Sequence, residues 1–160
     1  VYGPGQSLSN PYTGILSIFS TLIRNNETIN IFEDGKESRD FVYIDDVVDA
    51  TVAGLIKEST NSETYNVGSD KPISVIEVAN VLKSYFKSDV SVVISGNYRI
   101  GDIRHNYADL TKIKLELEYK PKYSFAVGIQ KFCDWVITQD ILVSNYEKSI
   151  KELKDKNIFK

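Results

Sequence analysis

Apolar side chains recur at helical spacing from Ile15 through Leu16, Ile18, Phe19, Leu22 and Ile23, which predicts a helix ending near Asn25. Asn10 and Pro11 stand ahead of it as a favoured N-cap and a favoured first helical residue. The period then changes. Thr28 to Phe32 alternates as a strand does, Glu33-Asp34-Gly35-Lys36 supplies turn chemistry, and Asp40 to Ile44 predicts a second strand. Asp45 and Asp46 are expected to cap a helix carrying Val47, Val48, Ala50, Thr51, Ala53, Leu55 and Ile56, and Thr64 to Val67 reads as a short strand stopped by Gly68. Ser74-Val75-Ile76-Glu77 has the form of a capping box, in which serine and glutamate each bond a backbone N–H left free at a helix start; the helix should reach about Phe86.

Val90 to Ile94 is β-branched-rich and predicts a buried strand, ended by Gly96-Asn97. Tyr98 to Tyr107 has few apolar residues and reads as a surface loop or edge strand. Asp109 and Ser124 are expected to cap two further helices, Leu110 to about Leu117 and Phe125 to about Thr138, with the helix-stopping Pro121 between them. From Asp140 the chain is lysine-rich, with Leu142, Val143, Tyr146, Ile150 and Leu153 on one helical stripe. That stripe is expected to pack on the body of the protein.

Composition narrows the function classes. With 160 residues, 42% hydrophobic and 26% charged, the chain can bury one core. A net charge of −3, with the basic residues dispersed, argues against a nucleic-acid partner. The single cysteine, Cys133, lies in an apolar-periodic stretch and reads as a buried small hydrophobe; no internal disulfide can form, which fits a reducing, cytoplasmic setting. No apolar run approaches the ~20 residues of a membrane span, and no membrane partner is expected. The chain has no methionine, and Gly3-Pro4-Gly5 is turn chemistry, so Val1-Tyr2 is expected to be the tail of a strand that begins before this sequence.

Two clusters carry candidate chemistry. In Ser38-Arg39-Asp40-Phe41-Val42-Tyr43, an arginine among aromatic residues has the means to hold phosphate oxygens bidentately; alternatively, Arg39 and Asp40 pair to close a surface turn. In Arg99-Ile100-Gly101-Asp102, the cation suits phosphate and the carboxylate suits vicinal hydroxyls; alternatively, this is a solvated charged loop. His105 is the only histidine and has no evident metal-ligating company.

Taken in order, Val-Tyr-Gly-Pro-Gly-Gln, Phe-Glu-Asp-Gly with Arg-Asp-Phe-Val-Tyr-Ile-Asp-Asp-Val-Val, Tyr-Asn-Val-Gly with Ser-Val-Ile-Glu-Val, and Arg-Ile-Gly-Asp resemble the extended short-chain dehydrogenase/reductase family of nucleotide-sugar epimerases and dehydratases. The similarity covers about Val1 to Thr138. It implies an α/β fold, a C-terminal substrate-binding lobe with the last elements of a Rossmann-like NAD-binding domain. Residues 1–138 would form that nucleotide-sugar-binding part and 139–160 a helical tail. Matched by position, Arg39 and Arg99 would clamp the diphosphate and Asp102 would accept from the ribose. Phe32 would lie against the base, with the backbone of Asn30 and Ile31 at its edge. Phe41 stands where some members have tyrosine, leaving packing alone. Val75 would approach the base and ribose, as would Ser74, which already has a role as a cap; Asn106 would approach the hexose. Asp46, prominent in the family signature, is better explained as a cap.

The same resemblance implies what the chain does not carry. The family binds NAD on a glycine-rich strand-to-helix turn and catalyses with serine or threonine and a Tyr-x-x-x-Lys pair; no tyrosine here has lysine four residues on. The asparagine expected to help hold the diphosphate would fall before Val1. No catalytic, cofactor-binding or metal residue is therefore assigned to this chain. The implied parent is an NAD-dependent 4-epimerase of UDP- or dTDP-sugars, paired as a homodimer, in which hydride leaves C4 and returns to the other face. Asn10-Pro11-Tyr12-Thr13-Gly14 and Glu152-Leu153-Lys154 look similar to deoxyhexose epimerases acting on dTDP-sugars. A 4,6-dehydratase, a decarboxylase or a stand-alone nucleotide-binding module are the alternatives.

Overall fold

A computed structural model describes residues 1–9, 14–58, 62–144 and 146–160. The described helices are α1 (Ile15–Arg24), α2 (Ile44–Ile56), α3 (Val75–Phe86), α4 (Thr111–Leu117), α5 (Phe125–Ile137) and α6 (Tyr146–Asp155), and the strands β1 (Ile29–Ile31), β2 (Ser38–Asp40), β3 (Pro72–Ser74), β4 (Val92–Ile94) and β5 (His105–Asn106). β1 pairs in parallel with β4, Ile29 opposite Val92. β2 lies between β3, antiparallel, and β5, parallel. The architecture is α/β, as expected.

The main core forms where α1, α3 and α5 meet β1. Leu16, Leu22, Ile29, Ile31, Val78, Leu82, Phe132, Cys133 and Val136 are fully buried there. Cys133 is the small buried hydrophobe anticipated, and burial pushes its thiol up to about 12. A smaller cluster of Ala50, Leu110, Ile113 and Tyr119 sits between α2 and α4. The capping box is complete: the Ser74 and Glu77 side chains satisfy each other's backbone N–H, and α3 ends at Phe86 as predicted. Ser124 caps α5 by accepting from the Val127 N–H.

Several expectations need correction. The second strand spans Ser38–Asp40 rather than Asp40 to Ile44, because the chain changes partner after Asp40: Tyr2 donates to the Val42 carbonyl, and Ile44 donates back to Tyr2. α2 thus begins at Ile44 with Tyr43 as N-cap and no side-chain cap, so Asp45 and Asp46 do not cap it. Asp46 is buried, and its carboxylate accepts from the backbone N–H groups of Lys122 (2.8 Å) and Tyr123 (3.2 Å), tying α2 to the segment before α5. Thr64 to Val67 joins no ladder, since Tyr65 turns to α4 and donates to Glu116. The β4 residues Val93 and Ile94 are half exposed, because among the described residues β4 pairs with β1 alone. Asp109 sits one residue outside the N-cap of α4, where it accepts from the Thr111 N–H and hydroxyl. In the tail, Leu142 and Val143 precede α6 and are exposed; Tyr146, Ile150 and Leu153 form its inward stripe. The Asn10–Pro11 cap falls outside the described residues. No described helix is long and apolar enough to cross a membrane.

Candidate functional site

The residues that could hold a ligand come from separate stretches of chain, and the strand pairing brings them together. Adjacent residues of a strand point to opposite faces, so Arg39 and Asp40 part company on β2. Asp40 turns inward and accepts from the Ser69 N–H and hydroxyl (2.7 and 2.6 Å) and from the Ala108 N–H (3.2 Å). A side chain at residue 68 would run into that carboxylate, which explains Gly68. Arg39 therefore does not close a turn with Asp40. Its Nη1 donates to the carbonyls of Ser38 (2.8 Å) and Arg104 (3.0 Å), and its remaining N–H groups have no partner among the described residues.

Arg39 faces a cavity of about 300 Å³. Asn30, Ile31 and Phe32 line it from β1 and the turn that follows, Val75 from the start of α3, and Arg99 with Asp102 from the loop before β5. Arg99 and Asp102 form a loose pair, Nε to Oδ2 3.8 Å, with both side chains well exposed. Such a pair contributes about 0–1 kcal/mol, so a more highly charged anion can take the guanidinium from it. The Arg99 guanidinium carbon also lies 5.9 Å from the centre of the Phe32 ring. Seven of the nine expected site residues thus share one cavity. Phe41 and Asn106 do not line it: Phe41 packs on Tyr2 and Phe125, and Asn106 lies exposed on β5 beside Arg39.

Arg104, on the same loop, is already neutralised. It donates to Glu33 (2.8 Å) and Asp34 (2.7 Å) and reaches Glu37 at 3.7 Å, locking the loop to the turn after β1. These donations hold the Asp34 carboxyl below its ordinary range. Sequence reasoning overlooked Glu37, a cavity-lining residue only 7% exposed. Burial, reinforced by the charges of Glu33 and Asp34, pushes its carboxyl up. Ionising Glu37 thus costs the folded form more than the unfolded one. Stability should be lost as pH rises from the unfolded carboxylate pKa through the raised folded one. Urea unfolding between about pH 4 and 8 checks this: Glu37→Gln should gain on the wild type as pH rises, and a constant or shrinking difference contradicts it.

Also unanticipated were Tyr146, Ser149, Ile150 and Leu153 of α6, which form the outer side of the cavity. The apolar stripe of the tail was evident from its spacing; its destination was not.

This arrangement, two arginines beside an aspartate and an aromatic ring, suits a phosphorylated ligand with hydroxyls and a flat apolar group. Known proteins share much of this sequence and fold. Residues 1–68 match the NAD dependent epimerase/dehydratase family. The resemblance inferred from the motifs is to this same family. Among its curated relatives, dTDP-L-rhamnose 4-epimerase of Burkholderia thailandensis is 40% identical over 136 residues, covering 85% of this chain and 37% of that protein. UDP-N-acetyl-alpha-D-glucosaminuronate decarboxylase of Bacillus cytotoxicus is 29% identical, covering 84% of this chain and 43% of that protein. Among solved structures, UDP-glucose 4-epimerase of Thermotoga maritima, determined with UDP-glucose, superposes with a TM-score of 0.73 at 31% identity, covering 86% of this chain and 43% of that one. The chain spans less than half the length of these relatives.

The family name implies NAD, and the N-termini of α2 and α3 do not fit its pyrophosphate. A dinucleotide pyrophosphate rests on a glycine-rich turn between a strand and a helix N-terminus. β3 runs directly into α3, but the Glu77 carboxylate occupies that N-terminus, 2.8 Å from the Ser74 nitrogen, and would repel phosphate. The first turn of α2 carries Asp45 and Asp46.

Proposed function

We propose that this chain is the nucleotide-sugar-binding part of an NAD-dependent nucleotide-sugar 4-epimerase. The observation that carries this reading is the single cavity holding Arg39, Arg99, Asp102 and Phe32. The diphosphate lies between the two guanidinium groups, the ribose hydroxyls donate to Asp102, and the base covers Phe32 with its edge toward the backbone of Asn30 and Ile31. Residues 1–138 make this grip and 139–160 are the tail. The chain supplies binding and orientation; hydride transfer at the sugar belongs to residues and a cofactor site that the described residues do not provide, and the chain alone is inactive. The 4-epimerase reading is favoured by the dTDP-L-rhamnose 4-epimerase, at 40% identity. The matching decarboxylase supports the second reading, since the same grip serves any reaction farther along the sugar. The whole enzyme is read as a cytoplasmic homodimer acting on a UDP- or dTDP-sugar.

Titration calorimetry of the chain with UDP, dTDP and NAD tests this. UDP and dTDP should bind weakly but saturably, because an arginine-lined pocket open on one side leaves part of the ordering cost to the ligand. NAD should produce no turnover and no tight binding. Saturable micromolar NAD binding would overturn the assignment.

A further inference from the structure

The C-terminal segment plays no part in the grip described so far, yet it closes that grip on the outside. α6 lays Tyr146, Ile150 and Leu153 along the cavity. Beyond α6 the chain returns to form an isolated antiparallel bridge, Arg99 opposite Phe159: Tyr98 and Lys160 exchange backbone hydrogen bonds (2.7 and 3.0 Å), and the Ile100 N–H donates to the Ile158 carbonyl (2.9 Å). Those bonds fall on the loop that carries Arg99 and Asp102. At this bridge the Phe159 ring meets Phe32 edge-on, with centres 5.1 Å apart and planes at 67°, and Lys154 of α6 lies over Phe159. The Tyr146 hydroxyl donates to the Asn30 carbonyl at 3.5 Å.

We propose that residues 146–160 are the outer wall of the nucleotide site, holding Arg99 and Asp102 in position, while Phe159, behind the cavity lining, braces the Phe32 ring on which the nucleoside base rests. This rests on the reading of the cavity as a nucleotide site. Two arguments favour a wall over a plug. About 300 Å³ stays open with the segment in place, at the lower end of the size of small-molecule sites. The loop of Arg99 also turns through Gly101 at φ +89° and exposes most of its side chains, so it has little core packing of its own to fix it. Backbone pairing with residues 158–160 supplies that order before ligand arrives, and less freedom remains to be lost on binding. Phe159, packed edge-on, fixes the Phe32 ring before a flat base meets it.

The test compares UDP binding by the full chain, by Phe159→Ala, and by a chain ending at Ser144, with Arg39→Ala as the control on the site itself. Phe159→Ala should weaken UDP binding about fivefold and the shortened chain about tenfold or more. Weaker binding in Arg39→Ala, with unchanged or tighter binding in both tail variants, refutes the wall and leaves the site standing. Absence of UDP binding in the full chain, or wild-type binding in Arg39→Ala, refutes the site reading and the wall with it. Should the shortened chain fail to fold, Phe159→Ala decides alone: affinity lowered as stated supports the wall, and affinity retained refutes it.

Discussion

Asp46→Ala is expected to cost about 3–4 kcal/mol of folding stability, a large share of the 5–15 kcal/mol typical of a domain. The carboxylate is 1% exposed and receives two backbone N–H groups, those of Lys122 and Tyr123, which no other described side chain or carbonyl satisfies. Each charge-assisted bond contributes about 1.5–3 kcal/mol, and alanine leaves two part-buried donors without an acceptor. Asp46 also sits in the first turn of α2, where a negative charge is favoured by the helix dipole. Asp46→Asn keeps one oxygen acceptor and should lose about half as much. Urea unfolding of the three proteins measures the series. A loss under about 1 kcal/mol for the alanine variant would mean that water enters and replaces the carboxylate.

The same residue shows where sequence reading stops. Local features were legible: the Ser74–Glu77 capping box, the Ser124 cap and the spacing of α1, α3 and α5 all depend on neighbours within four residues. Asp46 could be read only as a cap, because its true partners stand 76 and 77 residues later. β2 was misplaced toward its more apolar side for a similar reason. The pattern Phe41-Val42-Tyr43 is a good strand sequence, but pairing with β3 and β5 fixes the ladder at Ser38–Asp40.

The candidate site was legible to a comparable depth. The order of motifs pointed to Arg39, Arg99, Asp102 and Phe32, and these line one cavity; local composition alone left the Arg39–Asp40 turn open until strand alternation excluded it. Glu37 escaped notice because nothing in Lys-Glu-Ser says that this carboxylate is buried. Phe159 escaped because one aromatic residue near a chain end has no periodicity, and its meaning comes from pairing with a segment sixty residues earlier.

Arg39→Ala is expected to weaken binding of UDP or dTDP by about 2–3 kcal/mol, roughly 30- to 150-fold, and Arg99→Ala by less. The difference follows from how each guanidinium is held. Two carbonyls on Nη1 already fix Arg39, so its remaining N–H groups face the cavity with little left to order. Arg99 is more exposed, is held by a 3.8 Å contact with Asp102 and a loose approach to the Phe32 ring, and must exchange Asp102 for phosphate. Lysine should restore part of the loss at Arg99, where a point charge can reach the anion, and less at Arg39, where the planar fork serves the carbonyls and the ligand together. Because neither residue is in the buried core, unfolding midpoints should stay near wild type, which separates loss of the site from loss of the fold. Calorimetry with UDP on the wild type and the four variants is the measurement. Equal affinities across the set would remove both arginines from the nucleotide site, whereas a larger effect at Arg99 than at Arg39 would mean that the diphosphate sits nearer the loop of Arg99 than the strand β2.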